Sequence, residues 1–214
     1  MTDFDIVFQY PTNLPDGYLD DFRKSLKIDG LNTCEIEREP EVMASVELAI
    51  TGFAIYLAKE LLAPTFKKAG VDLAENVYPL IISGFSDFAK KIFLRNRIPF
   101  KRVTINEVTD CPDTSYLMIY AKTMTGKKVS FIFENNITEE QYDICIAQIF
   151  QLLEKHYASK NNDDYLSSQI ATLPDNRQAQ IYMTYSPDLE VWKVKDPIQE
   201  ILEKQNIPKS ISKT

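Results

Sequence analysis

The chain has 214 residues, of which 44% are hydrophobic and 26% charged, a composition typical of a globular protein with its own core. Its formal net charge of −7 argues against general attraction to nucleic acid or to an anionic membrane. The N-terminal residues carry acids where a signal peptide is positively charged, and two uncharged runs, 48–58 and 76–86, are each too short for a bilayer, which needs roughly 20 residues. We therefore expect a cytoplasmic protein without a membrane span.

The few cysteines and the one histidine limit the chemistry that the chain can support. The chain has an odd number of cysteines, and none of them forms a CxxC pair; they are Cys34, Cys111 and Cys145. This pattern is typical of reduced, packed thiols. Because His156 is the one histidine of the chain, mechanisms that need two histidines are excluded. Its position near the end of a predicted helix favours a structural role.

The first third of the chain predicts a strand, a helix and a second strand. The strand covers Asp3–Tyr10, the helix covers Tyr18–Ile28, and the second strand covers Thr33–Arg38. Around this second strand, glutamates recur at every second position, which places them on one face; they are Glu35, Glu37, Glu39 and Glu41. A divalent cation site is one interpretation, and a solvated edge strand that resists aggregation is the one we prefer.

The segment Glu41–Ala63 predicts a helix that is apolar around most of its circumference. Such a helix is central in a core or is covered by a partner. Phe53, Tyr56 and Leu57 are therefore our candidate protein-interaction residues. A second apolar helix is predicted to begin at Asp72 or Tyr78 and to end near Arg95, with Pro79 in its first turn or as a kink.

The second half of the chain begins with strands and continues with a well-defined helix. Three strands are predicted, at Arg102–Val108, Tyr116–Thr123 and Lys128–Phe133, and the last two form a hairpin across Thr125-Gly126-Lys127. Thr138-Glu139-Glu140-Gln141 fits a capping box and opens an amphipathic helix that continues to about residue 158.

After a polar break at residues 159–164, the sequence predicts a short helix, a hairpin and a last helix. The short helix covers Tyr165–Leu173, the hairpin pairs residues 181–185 with 191–194, and the last helix covers residues 197–202. We predict an α+β fold with a mixed or antiparallel sheet packed against several amphipathic and apolar helices. Residues 1–158 form the main domain, and residues 159–214 form a C-terminal extension packed on it.

One basic segment interrupts an otherwise acidic chain. Residues 88–102 contain no acid and carry a local charge of +6, from Lys90, Lys91, Arg95, Arg97, Lys101 and Arg102. These six residues are our candidate anion-binding site, for phosphate or for an acidic partner. The alternative is a solvated helix end whose basic residues are favourable to the helix dipole.

The common catalytic motifs are missing. The sequence contains no GxGxxG, GxxxxGK[ST] or GxSxG pattern, and Ser83-Gly84-Phe85-Ser86 lies inside a helical pattern. We predict no catalytic residues, no metal site and no cofactor. An enzyme assembled from distant residues, such as Cys145 with His156, is a further hypothesis.

The order of these elements resembles a known group of domains. A strand–helix–strand unit, two apolar helices, the hairpin that ends in Thr125-Gly126-Lys127-Lys128-Val129-Ser130-Phe131-Ile132-Phe133 and a capped helix are similar to the effector-associated domains of bacterial conflict systems. The resemblance covers roughly residues 1–158, and it implies an adaptor with no catalytic residues. The bulky Phe53, Tyr56, Tyr78 and Phe85 depart from that pattern.

The leading prediction is a non-enzymatic protein-interaction module, an adaptor or accessory subunit that binds another protein or itself as a homo-oligomer or hetero-complex. The alternative is phosphate or nucleic-acid binding through the basic segment at residues 90–102, although the acidic net charge makes nucleic acid the less expected partner.

Overall fold

The computed structural model of the chain describes residues 4–12, 14–38, 52–62, 77–95, 100–103, 108–111, 117–133, 137–159 and 163–196. The strands are β1 (Ile6–Pro11), β2 (Thr33–Arg38), β3 (Phe53–Leu57), β4 (Phe100–Val103), β5 (Val108–Cys111), β6 (Leu117–Lys122), β7 (Lys128–Ile132), β8 (Gln180–Ser186) and β9 (Val191–Lys195). The α-helices are α1 (Asp20–Ser25), α2 (Lys59–Leu62), α3 (Tyr78–Lys90), α4 (Glu139–Ala158) and α5 (Tyr165–Ala171). A π-helical turn (Lys91–Arg95) extends α3, and a 3₁₀ turn (Asp175–Arg177) follows α5.

Seven of the strands form one mixed sheet in the order β2-β1-β3-β6-β7-β8-β9. The pairs β1–β2, β3–β6 and β7–β8 are parallel, and the pairs β1–β3, β6–β7 and β8–β9 are antiparallel. Each parallel pair is joined by a connection that contains helix, as parallel strands require. The fold is therefore α+β, as the sequence predicts, with a mixed sheet.

Side chains alternate between the two faces of this sheet, because successive residues of a strand point in opposite directions. The first face is apolar and lies against the helices. It is formed by Ile6, Phe8, Phe53, Ile55, Leu57, Leu117, Ile119, Val129, Phe131, Ile181, Met183, Tyr185 and Trp192, all of them buried. The opposite side, which we call the second face, holds the candidate site described below.

Aromatic rings in edge-to-face contact hold the helices on the first face. The ring of Phe8 in β1 lies 4.8 Å from Phe22 of α1 and 5.4 Å from Phe88 of α3, between ring centroids. Phe53 in β3 lies 5.1 Å from the same Phe88 ring. Edge-to-face pairs of this kind contribute about 0.5–1.5 kcal/mol each beyond their buried area. One cluster of rings therefore ties two helices to two strands.

The helices α1 and α3 cross closely at a glycine. A Cβ at Gly84 would lie 2.4 Å from the Ser25 Oγ and 2.7 Å from the Ser25 Cβ, so only glycine fits there. Pro79 occupies the first turn of α3, where its missing N–H costs no hydrogen bond. The helix begins at Tyr78, the later of the two predicted starts, and Pro79 is in its first turn.

The hairpin of β8 and β9 completes the sheet at the end opposite β2. The indole Nε1 of Trp192 in β9 donates to the Cys145 carbonyl of α4 at 2.9 Å, and Tyr185 pairs with Trp192 across the hairpin. The predicted pairing of residues 181–185 with 191–194 is therefore confirmed.

One predicted helix is wrong. Residues 53–57 form β3, a central strand between β1 and β6, and not part of a helix from Glu41 to Ala63. Its first-face residues, Phe53, Ile55 and Leu57, are buried, and the residues between them, Ala54 and Tyr56, are also apolar or aromatic, so the run lacks the polar alternation that marks a strand in sequence. Only residues 59–62 of the predicted helix are helical, as α2, and residues 39–51 and 63–76 lie outside the described residues.

Most of the other predicted elements are confirmed. Strand β2 has the predicted bounds and is an edge of the sheet among the described strands, and α4 begins at Glu139 with the Thr138 N–H donating to Gln141 Oε1 at 3.1 Å. The single strand predicted at 102–108 is wrong, because Phe100–Val103 and Val108–Cys111 pair as two antiparallel strands. The helix predicted at 197–202 lies outside the described residues. Among the helices described, none is long and apolar enough to cross a membrane.

Candidate binding surface on the second face of the sheet

The candidate site begins with two stacked tyrosines at the centre of the second face. Tyr56 of β3 and Tyr120 of β6 are partners in the parallel ladder. Their ring centroids lie 4.6 Å apart with the ring planes 16° from parallel. This separation is close to the spacing of neighbouring strands, so the rings stand side by side with their edges directed away from the sheet. Two of the chain's aromatic side chains therefore lie outside the apolar core, on the polar side of the sheet.

Lys128 of β7 lies over both tyrosine rings. Its Nζ is 3.9 Å from the ring centroid of Tyr120 and 5.5 Å from that of Tyr56. The negative faces of the two rings attract the ammonium group, a contribution of about 0.5–2 kcal/mol depending on solvation. We call Tyr56, Tyr120 and Lys128, with Tyr182 of β8, the tyrosine–lysine cluster.

The register brings Tyr182 into the same row. Tyr120 pairs with Ser130 of β7, and Ser130 pairs with Tyr182. Ser130 is fully buried between the two larger residues, and its Oγ has no hydrogen-bond partner among the described residues. A buried hydroxyl without a partner costs about 1–3 kcal/mol, and the hydroxyls of Ser86 and Tyr185 are in the same state elsewhere in the described chain.

The protonation states in the cluster follow from burial. Burial raises the pKa of Tyr120 to about 12, so its hydroxyl stays protonated and donates to the Met118 Sδ at 3.1 Å. Burial lowers the pKa of Lys128, and the positive charge of nearby Arg38 lowers it further. The first effect arises because the Lys128 ammonium group has lost hydration, and the second because Arg38 repels it. No carboxylate among the described residues lies within ion-pair distance of Lys128.

The two faces of the sheet differ sharply in charge. Among the strand residues of the seven-stranded sheet, the second face carries no Asp or Glu and five cations, which are Arg38, Lys122, Lys128, Lys193 and Lys195. The first face carries two acids, Glu35 and Glu37, and no cation in these strands. In a chain with a net charge of −7, this sorting makes the second face a local positive surface.

The predicted interaction residues separate onto the two faces. Phe53 and Leu57 are buried on the first face and have no surface to offer to a partner. Tyr56 lies on the second face and is only half-buried. Of the three residues, the structure therefore retains Tyr56 as a candidate contact and makes the other two part of the core.

Two of the six residues of the basic segment have partners among the described residues. Lys90 forms an ion pair with Asp143 of α4 at 2.8 Å, and the Lys91 Nζ donates to the Tyr18 carbonyl at 2.6 Å and lies 4.7 Å from the centroid of the Tyr18 ring. Both lysines thus join α3 and its π-helical extension to neighbouring elements. Arg95 ends the π-helical turn, Lys101 and Arg102 lie in β4, and Arg97 lies outside the described residues.

A buried polar cluster at the end of α4 resembles a catalytic arrangement in composition. His156 Nδ1 lies 3.1 Å from the nearer carboxylate oxygen of Asp164, and the Ser167 Oγ donates to Asp164 Oδ2 at 2.7 Å. The other ring nitrogen, Nε2, accepts the Met124 backbone N–H at 3.0 Å, which places the ring proton on Nδ1.

The geometry of that cluster gives it a structural role. In a hydrolytic triad the carboxylate and the nucleophile contact opposite nitrogens of the imidazole. Here Ser167 lies 3.3 Å from Nδ1, on the same side as Asp164, and a backbone N–H occupies Nε2. The cluster fastens the β6–β7 turn to α4 and to the first turn of α5, where Asp164 is the N-cap and accepts the Ser167 N–H at 3.0 Å.

The hypothesis of a Cys145–His156 site is not supported. Both residues lie on α4, eleven positions apart, which corresponds to about 16 Å along a helix axis. Burial raises the pKa of the Cys145 thiol to about 12, and the thiol donates to the Tyr142 carbonyl at 3.3 Å. A thiol in this state is not a nucleophile.

The acidic residues of β2 do not form a metal centre in the described part of the chain. The Glu35 carboxylate is paired with Arg23 of α1, whose Nη2 lies 2.9 Å from Oε2. No group of three or more His, Cys, Asp or Glu residues that could hold a metal ion occurs among the residues described.

Comparisons with known proteins assign the chain to no family. No family model matches the chain, and neither the curated proteins nor the solved structures contain a significant match. The resemblance to effector-associated domains stays a prediction, and β3 replaces the first of the two apolar helices on which its element order depends.

Sequence reasoning missed the tyrosine–lysine cluster, because its members come from four strands. A partial signal was available in the β6–β7 hairpin. A turn at residues 123–127 sets Lys122 opposite Lys128 and Tyr120 opposite Ser130, so one face of this hairpin could have been read as polar and basic.

Proposed function

We propose that the protein is a non-enzymatic interaction module that binds a protein partner through the second face of its sheet. The observation that carries the proposal is the tyrosine–lysine cluster, set within a face that has five cations and no acid in its described strands. Tyrosine is well suited to protein recognition, since its ring combines a rigid apolar surface with a hydrogen-bond donor, and the cations add electrostatic complementarity to an acidic partner.

The rest of the described chain supports a binding role over catalysis. Its one histidine is buried with both ring nitrogens engaged, and its buried cysteine has a raised thiol pKa. The resemblance to adaptor domains of bacterial conflict systems agrees with this role, although it supplies no residues. The binding surface differs from the apolar helix that the sequence suggested, since Phe53 and Leu57 belong to the core.

Charge reversal at exposed positions tests the proposal without disturbing the core. Lys122 and Lys193 are exposed residues of the second face, and Lys24 and Lys155 are exposed residues of α1 and α4. We would tag the full chain, recover it from its own cells, and compare the wild type with the double variants Lys122→Glu/Lys193→Glu and Lys24→Glu/Lys155→Glu. Exposed substitutions of this kind change stability by about 0.5 kcal/mol or less each.

The expected result is a defined complex with the wild type and the helix variant, and its loss with the second-face variant. The mass of the complex distinguishes a second copy of the 24.6 kDa chain from a different protein. A complex that survives the second-face variant and is lost in the helix variant would place the interface on the helices and contradict the proposal.

A further inference from the structure

We propose that the partner segment recognised by the second face is an acidic peptide, which places a carboxylate against Lys128 and the hydroxyls of the half-buried Tyr56 and Tyr182. This inference rests on the proposed function and names the chemistry of its partner. It commits to an acidic protein segment in preference to nucleic acid or a second copy of the chain.

The first argument is charge complementarity. Lys128 is half-buried, and it has no carboxylate partner among the described residues. A second cation, Arg38, lies close enough to lower its pKa. A cation in this position is stabilised by an anion brought by a partner, since a charge-assisted hydrogen bond replaces the lost hydration. The other cations of the face surround this position and favour a segment with several acids.

The second argument is the orientation of the tyrosine rings. A protein that binds single-stranded nucleic acid offers ring faces on which bases stack. Here Tyr56 and Tyr120 stack on each other, and the Lys128 ammonium lies 3.9 Å from the Tyr120 centroid. Tyr120 is buried and its hydroxyl donates to the Met118 Sδ. What remains for a partner is the Lys128 ammonium group and the hydroxyl-bearing edge of the half-buried Tyr56, which suit a carboxylate better than a base.

The test is a binding measurement with defined probes on the full chain. Fluorescence polarisation would follow a fluorescein-labelled oligoglutamate peptide, with a labelled oligothymidylate of matched length as the nucleic-acid probe. Three variants would be compared with the wild type, namely Lys128→Met, Lys193→Gln and, as a control from α4, Lys155→Gln. Circular dichroism melts would verify that each variant is folded, and Lys193 is exposed, so its variant reports on the face even if Lys128→Met is destabilised.

The inference predicts saturable binding of oligoglutamate that weakens about tenfold in Lys128→Met and about two- to fivefold in Lys193→Gln, with no change in Lys155→Gln. Binding should also weaken as NaCl rises from about 0.05 to 0.5 M. Equal losses in Lys128→Met and Lys155→Gln would overturn the inference, as would tighter binding of oligothymidylate.

Two further outcomes separate this inference from the proposed function. If oligoglutamate does not bind and the Lys122→Glu/Lys193→Glu variant still loses its cellular complex, the acidic peptide is wrong and the proposed function stands. If light scattering shows a dimer that Lys193→Gln dissociates, the occupant is a second copy and the acidic peptide is again overturned.

Discussion

Replacing Asp164 with alanine removes the carboxylate at the centre of the buried cluster that joins α4, α5 and the β6–β7 turn. The variant loses the N-cap of α5, where Oδ1 accepts the Ser167 N–H at 3.0 Å, a loss of about 1 kcal/mol. It also removes the carboxylate from the buried His156 Nδ1–H, which costs about 1–3 kcal/mol. We expect a total destabilisation of about 2–4 kcal/mol, or about 4–16 °C in Tm for a chain of this size.

Two control variants make this measurement specific. Asp164→Asn keeps a side chain that caps helices well and still offers one oxygen to His156, so about 1 kcal/mol is expected. Asp188→Ala removes an exposed aspartate in the β8–β9 turn and should change the unfolding free energy by about 0.5 kcal/mol or less. Urea unfolding followed by circular dichroism gives all three values.

The same carboxylate gives a pH dependence of known sign. Burial raises the pKa of Asp164, but the hydrogen bonds from Ser167 and His156 outweigh it, and the net effect is a pKa below the ordinary value of 3.8. The stabilisation is therefore fully present above that value and is lost as pH falls through the folded pKa. The stability difference between wild type and Asp164→Ala should shrink under acidic conditions. The error of such a measurement is about 0.5 kcal/mol. A smaller difference than this between wild type and Asp164→Ala at neutral pH would refute the structural role of the cluster.

Three further predictions concern the helices and the thiols. Gly84→Ala should destabilise the protein by about 1–3 kcal/mol in urea unfolding, because its Cβ would meet Ser25 at 2.4 Å; an unchanged midpoint would show that α1 and α3 do not cross closely. Cys145 should be alkylated by iodoacetamide far more slowly than Cys34 at pH 7.5, a difference read by peptide mass spectrometry, because burial raises its thiol pKa to about 12. Equal rates would contradict the burial of Cys145. Lys90→Gln should cost about 0–1 kcal/mol and leave oligoglutamate binding unchanged, and a large loss of binding would return the anion site to the basic segment.

The elements that could be predicted from the sequence are those with local signals. The capping box at Thr138, the turn at Gly126 and the pairing of Tyr185 with Trp192 follow from neighbouring residues and from a period of two in the strands. The edge position of β2 could also be predicted, since its charged side chains are typical of an edge.

The failure at β3 has a different cause. Phe53, Ala54, Ile55, Tyr56 and Leu57 are apolar at every position, and a short apolar run does not distinguish a buried strand from a buried helix. The distinction depends on the neighbours, β1 and β6, which are distant in sequence. The candidate site was missed for the same reason, because Tyr56, Tyr120 and Tyr182 meet only when three separate strands enter one sheet.

The basic segment shows how charge along the chain differs from charge on a surface. Six basic residues lie within 88–102, yet Lys90 and Lys91 each have a partner within the chain. The five cations of the second face are spread over four strands and give no local run in the sequence. A positive surface that forms when distant strands pair therefore cannot be found by counting charges along the sequence.

Site-specific photo-crosslinking tests the central claim most directly. A benzoylphenylalanine at Tyr182 would report contacts at the second face, and one at Leu80, which is 55% exposed on α3, would report contacts at the helices. We predict a discrete crosslinked adduct from position 182 in cells and none from position 80. An adduct from position 80 and none from position 182 would show that the partner binds the helical side, and would contradict a binding surface on the second face of the sheet.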